Sequence, residues 1–272
     1  TEIRVVMSTP SGSFWGVTTA DASGDWSHDF ASTMLEGEVL VIDEGLTQID
    51  VTSFDLAGNS STSETFNVTR DATPPNAPTV ALDSASNSGS SQDLITNNTT
   101  PLLQGEADAG TRIEIRQGEA LLGSVEADEN GAWAFRTPEL SSGTHSFDVV
   151  AVDLAGNTST AAVLEIEIDT TGTEVPLLDL DVNSDTGAST SDNVTNENQI
   201  TLTATVEGAQ NVRFLAGETE LGFGVEGPAG VWTLTTDALA DGVYSITAES
   251  SDVAANLVTS APMEVTIDTL RP

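Results

Sequence analysis

Apolar and polar residues alternate over short stretches of this chain, with turn formers between them. The run LEIEID (164–169) sets Leu164, Ile166 and Ile168 against Glu165, Glu167 and Asp169, and MEVTID (263–268) repeats the pattern. A period of two turns one set of side chains to a partner layer and the other to water, so both runs read as half-buried strands. Across residues 71–168 the same reading predicts seven strands, at 79–82, 99–107, 111–117, 120–127, 132–137, 144–152 and 161–168, designated A to G. Segments with helical periodicity are almost absent, because Thr, Ser, Gly, Asn and Asp punctuate the chain.

Seven short strands joined by turn-rich loops predict an immunoglobulin-like β-sandwich. A jelly roll or barrel is the weaker alternative. The pattern also recurs. DLAGN stands at 55–59 and 153–157, with DVAAN at 252–256, and Gly-x-Trp ends in Trp26, Trp133 and Trp232. Linker aspartates Asp71, Asp169 and Asp268 follow the successive units at intervals of 98 and 99 residues. The chain is therefore read as an all-β tandem of three immunoglobulin-like units, 1–70, 71–168 and 169–272. Aligning Ile3 with Ile113 places Thr1 near strand C, so the first unit is expected to lack its early strands and to carry an insertion at 35–49.

Charge changes the picture next. Forty-three acidic residues face seven arginines and no lysine, for a net charge of −36. Such a surface repels nucleic acid and attracts cations. There is no cysteine, so no disulfide staples the fold, and no apolar run is long enough to insert in a membrane. No signal-peptide pattern opens the sequence.

Oxygen donors at every second residue suit a hard cation. In DVNSDTG (181–187) Asp181, Asn183 and Asp185 alternate, and Asp192 completes positions 1, 3, 5 and 12 of a calcium-loop count. Thr186 stands where an EF-hand requires glycine, so the loop is read as a calcium loop between strands A and B rather than an EF-hand. The second unit has a thinner version in Asp83, Asn87 and Asp93, where a flexible polar loop is nearly as good a reading. A second group is expected where one unit meets the next. Asp153 and Asp128 would converge on linker Asp71, with Asp108 the less certain fourth, and Asp252 would converge on Asp169, with Glu207 or Glu226 as substitutes. Gathered carboxylates repel by roughly 1 kcal/mol per pair at 4 Å in water, which a cation relieves. A plain turn explains one DLAGN, with Asp capping and Gly left-handed, but not the recurring linker aspartate.

Catalytic chemistry finds little support. His28 and His145 lie on predicted strands of different units with no nucleophile spaced to meet them, and no phosphate loop or zinc spacing appears. Acidic pairs recur with the repeat, which a single active site would not. Trp26, Trp133 and Trp232 occupy equivalent positions and are expected in the core, as is Trp15, whose aligned neighbours are Leu122 and Leu221. N-glycosylation triplets such as those at 67–69, 157–159 and 193–195 match what polar loops produce by chance.

The linker DATPPNAPTVALDSASNSGSSQDLITNNTTP, then ADENGAWAF and AVDLAGNTS, resemble the bacterial Ig-like repeats of giant adhesins exported by type 1 secretion, such as the Salmonella giant non-fimbrial adhesin and BapA-type biofilm proteins. The resemblance covers the second and third units and the latter part of the first. It implies an extracellular stalk, rigidified by Ca2+, with adhesion at its distal end. Unit three departs from the pattern at Ala255, in place of glycine, and at Gly227, in place of the aspartate found at Asp128. The expectation is a monomeric, calcium-stiffened rod in a secreted or cell-surface adhesin. The alternative is a tip module that contacts host glycan or a surface receptor through the irregular first unit.

Overall fold

The structure, a computed structural model, describes residues 1–10, 12–30, 42–89 and 93–270. Residues 35–41 of the expected insertion lie outside them. Contacts gather the chain into two compact units, residues 1–76 with 151–160, and residues 77–150 with 161–272. Among the described residues no helix is long and apolar enough to cross a membrane.

In the first unit β1 (Glu2–Thr9), β2 (Gly12–Thr19), β3 (Gly45–Phe54) and β4 (Glu64–Arg70) form one antiparallel sheet in the order β2-β1-β3-β4. Ile3, Val5 and Met7 alternate inward on β1 and are buried, while β4 is exposed along its whole length. These are strands C, D, F and G of the predicted scheme. Two expectations fail here. Trp26 is 40% exposed and Trp15 is 63% exposed, so neither indole is a core residue. Among the described residues this unit has a single sheet, with no second layer to close over a large ring. Trp15 instead stands beside Arg4, whose guanidinium carbon lies 5.7 Å from the ring centroid.

The second unit contains most of the second repeat and all of the third. In the second repeat β5 (Ala81–Leu82), β7 (Leu102–Glu106) and β10 (Ala132–Arg136) make one sheet. β6 (Ile95–Thr96), β12 (Ala162–Ile168), β11 (Gly143–Val152), β8 (Arg112–Gln117) and β9 (Ala120–Glu126) make the other. All seven predicted strands are present. Leu103, Ile113, Ile115, Phe147, Val149, Ile166 and Ile168 are buried between the sheets, and Trp133 closes the layer at 4% exposure.

The third repeat is built alike. β13 (Leu177–Leu180), β15 (Thr201–Thr205), β19 (Val231–Thr235) and β18 (Val225–Glu226) form one sheet. β14 (Val194–Thr195), β22 (Met263–Ile267), β20 (Gly242–Ser251), β16 (Asn211–Ala216) and β17 (Thr219–Phe223) form the other, with β21 (Leu257–Thr259) on β20. Trp232, Phe214, Leu202, Ile246 and Ile267 share its core.

One connection differs from the sequence reading. Strand A is split: β5 pairs with β7 in one sheet, and β6 then pairs parallel to β12 in the other, with Ile95 opposite Glu167. β13 and β14 do the same in the third repeat, with Val194 opposite Thr266. The aspartate-rich loops therefore cross between sheets within strand A and do not join A to B. Leu94 and Asn193, both at φ 58°, turn the chain into the second sheet.

Candidate functional site

The repeated Asp-x-x-x-Asn turn between strands F and G is a self-contained hydrogen-bonded unit. In the second repeat Asp153 Oδ1 accepts the backbone N–H of Asn157 at 2.8 Å, and Oδ2 accepts the Asn157 side-chain amide at 2.8 Å. Gly156, at φ 90°, closes the turn by donating to the Asp153 carbonyl. Asp55 and Asn59 build the same turn in the first repeat, and Asp252 and Asn256 in the third. These bonds favour the charged carboxylate. The Asn59 amide holds Asp55 below the usual carboxylate range, and the Asn157 amide does the same for Asp153.

A carboxamide has two N–H groups, and the asparagine uses the other on the linker. Asn157 Nδ2 reaches the Asp71 carbonyl at 3.2 Å, and Asn256 Nδ2 reaches the Asp169 carbonyl at 2.9 Å. The linker aspartate itself turns the chain, because its Oδ1 accepts the N–H two residues on, Thr73 after Asp71 and Thr171 after Asp169. The recurring linker aspartate thus has a role in hydrogen bonding: it shapes the turn whose carbonyl the next asparagine holds. Both asparagines end the DLAGN and DVAAN motifs, where sequence alone gives them no target.

The same two-residue turn accounts for most of the other predicted metal ligands. Asp83 accepts from Ala85, Asp93 from Ile95, Asp128 from Asn130, Asp181 from Asn183 and Asp192 from Val194, at 2.8–3.2 Å. Asp128 also accepts from Ala132, and Asn183 turns its amide onto Asp181 Oδ1. Asp128 and Asp153 each sit in a turn of their own. Among the described residues no group of three or more Asp, Glu or His side chains converges on a point that could hold a metal.

Asp185 is the exception. Its side chain is buried at 2% exposure, Oδ2 accepts only a long bond of 3.3 Å from Asn193 N–H, and Oδ1 has no hydrogen-bond partner. No arginine or histidine among the described ion pairs reaches it. A carboxylate removed from water without a cation or a full set of donors costs several kcal/mol. Asp192, held on the amide next to the one that holds Asp185, brings a second carboxylate to the same loop. Asp181 and Asn183 lie on the same loop, but the described side chains do not converge with Asp185 on one point. The matching position in the second repeat is the neutral Asn87.

The histidines are structural. His145 is buried, with Nδ1 2.9 Å from the Gln117 amide and Nε2 2.8 Å from the Ser141 carbonyl. His28 lies against Gly16, where a Cβ would come within 2.0 Å of its Nε2. Glu114, buried on β8, is held below the usual carboxylate range chiefly by Arg116 and also by Arg112.

A family model for the bacterial Ig-like domain matches residues 73–170 and again residues 172–269. The family is typical of non-catalytic structural proteins. No curated protein matches the chain. Among solved structures, the fibronectin(III)-like modules of Clostridium thermocellum CbhA are 18% identical with a TM-score of 0.42, over 70% of this chain and 93% of that one. The FN1–FN3 domains of chicken CNTN1 are 13% identical with a TM-score of 0.39, over 97% and 90%. The BSP domain of a biofilm associated protein is 16% identical with a TM-score of 0.25, over 83% of this chain and 43% of that one. At these TM-scores none of the three carries an argument about function.

Proposed function

The chain belongs to the bacterial Ig-like domain family, and from that premise we propose that it is a spacer segment of a secreted bacterial adhesin, exported by type 1 secretion and displayed at the cell surface or in a biofilm. The observation that carries this reading is the repeated bond from a turn asparagine to the preceding linker, Asn157 to Asp71 and Asn256 to Asp169. A linker that only joined domains would need no such bond. Each is worth about 0.5–1.5 kcal/mol net, enough to bias a junction toward one geometry.

Calcium enters through the loop 181–192. Asp185 would be its central ligand, with Asp181, Asn183 and Asp192 as further oxygen donors. Bound there, the ion would neutralise a buried carboxylate and tie the sheet-to-sheet crossover of the third repeat. A cation that binds only the folded state stabilises it by mass action, so such a chain would be least stable in low-calcium cytosol and most stable outside. The turn aspartates Asp71, Asp128, Asp153, Asp169 and Asp252, with Asp83 and Asp93, keep hydrogen-bonded turns without an ion, so the spacer role does not depend on calcium at every junction.

Small-angle scattering of the whole chain tests the spacer, with Asn157→Ala and Asn256→Ala as the variants. Unchanged profiles in the double variant would overturn it. Isothermal titration with calcium tests the ion, and the absence of binding heat in the native chain would remove it.

A second reading is favoured by one observation, the exposed Trp15 with Arg4 against its ring. An open indole beside a cation is suited to stacking on a sugar. Glycan binding that disappears in Trp15→Ala would establish a tip function for the first repeat, and binding that persists would refute it.

A further inference from the structure

The crossover loop of the second repeat touches the third repeat directly, apart from the linker. Ser88 Oγ donates to the Ala254 carbonyl at 2.5 Å, in the F–G turn of the third repeat. Gly89 sits so close to the same turn that a Cβ there would lie 1.8 Å from the Val253 carbonyl and 3.4 Å from Ala254 Cα. The Gly89 φ is ordinary, so only the neighbouring turn excludes a side chain. Ser88 is itself fixed from behind, since its oxygen accepts the N–H of Asn97 at 2.9 Å and lies 3.2 Å from Thr96 Oγ1.

The third repeat carries the same corner. Thr186 aligns with Ser88 and Gly187 with Gly89. Thr186 Oγ1 accepts the N–H of Asn196 at 3.2 Å and lies 2.9 Å from Thr195 Oγ1, which reproduces the fixing of Ser88. The difference is in what lies beyond. Ser88 and Gly89 are half-buried, whereas Thr186, Gly187 and Ala188 are exposed, and the Thr186 hydroxyl turns sideways to Asn196 Oδ1 at 2.8 Å. The F–G turns show the complementary contrast. Val253, under the clasp, is half-buried, while Leu56 and Leu154 at the equivalent positions are fully exposed.

We propose that the Thr186–Gly187 corner is a docking surface for the F–G turn of another Ig-like repeat joined in tandem, as Ser88–Gly89 is for the third repeat. The hydroxyl donates to one turn carbonyl, and the glycine lets the next carbonyl approach the loop backbone. A linker holds the two parts at high effective concentration, so a contact too small to bind in solution closes once the repeats are joined. This inference depends on the repeat architecture and not on adhesion or calcium.

The test adds a copy of residues 170–268 after Asp268, which recreates the linker that follows Asp169. Amide hydrogen exchange of the peptide covering 186–189 is compared in the native and extended chains. Exchange at least tenfold slower in the extended chain is expected, and equal exchange would overturn the proposal. Slowing that appears in the native chain as its concentration rises would also overturn it, by making the occupant a second copy. The existing clasp supplies an independent arm. Because the chain has no cysteine, spin labels at Ser146→Cys and Ser245→Cys report the distance between the second and third repeats. Gly89→Val should broaden that distribution with the melting profile unchanged, and an unaltered distribution would contradict the clasp.

Discussion

The second and third repeats share a fold, a split strand A, a buried tryptophan and an Asp-x-x-x-Asn turn, yet they differ at two positions that change local chemistry. At the crossover loop the second repeat has neutral Asn87 where the third buries Asp185. At the F–G turn the second has Gly156 at φ 90°, where the third forces Ala255 to φ 64°. An alanine in the left-handed region carries a steric cost that glycine avoids. Both differences burden the third repeat, and both are local enough to be reversed one residue at a time.

The largest expected effect is at Asp185. With calcium at a hundred times its dissociation constant, ion binding adds about 2.7 kcal/mol, so Asp185→Asn should lose that increment in a calcium titration followed by thermal melting. In chelator the order should invert, with the variant more stable because no charge is buried. The reverse change, Asn87→Asp, should destabilise the second repeat in chelator and erase the contrast between the two loops. Next come the linker bonds. Asn256→Ala removes hydrogen bonds to Asp252 and Asp169, and should cost about 1–3 kcal/mol at 0.5–1.5 per bond. Asn157→Ala should cost a similar amount, and denaturant melts of the two variants compare the junctions directly.

Smaller is the turn itself. Ala255→Gly should stabilise the third repeat by about 0.5–1 kcal/mol, and Gly156→Ala should destabilise the second by a comparable amount, since relief of strain is partly offset by unfolded-chain entropy. The smallest effect concerns pH. The Asp153 carboxyl is held below its ordinary value by Asn157, so its turn gains stability that is complete above the unfolded pKa, near 4. That gain fades as pH falls through the lower folded value. Protection of the Asn157 amide, relative to its intrinsic exchange rate, should therefore fall on acidification. Exchange independent of pH after correction for intrinsic rates would show that the bond contributes nothing.

Strands such as 162–168 and 263–267 were legible because alternation of apolar and acidic residues is a backbone-scale signal. β6 and β14 were not, since two residues carry no period and their parallel partners lie some seventy residues away. The aspartates were legible as recurring, but their chemistry was not. An oxygen that caps a turn and one that binds a cation have the same sequence signature, and only burial separates Asp185 from Asp181. Trp26 and Trp15 were misplaced because equivalent positions imply equivalent burial only where both sheets are present. Asn157 and Asn256 were passed over because a second amide proton has no visible target until the linker is folded beside it.

The split of strand A has a consequence under load. Tension along the chain enters a repeat through its first strand and leaves through its last. In the second and third repeats the later half of the split strand A pairs in parallel with that last strand, with Glu167 N–H on the Leu94 carbonyl and Asp169 N–H on the Thr96 carbonyl in one, and Thr266 on Asn193 and Asp268 on Thr195 in the other. Force applied from the two ends therefore pulls those strands past each other, so that both hydrogen bonds are sheared together. An antiparallel pair pulled from one end would unzip a bond at a time. Each repeat is thus latched at the place where a pulled chain would first give.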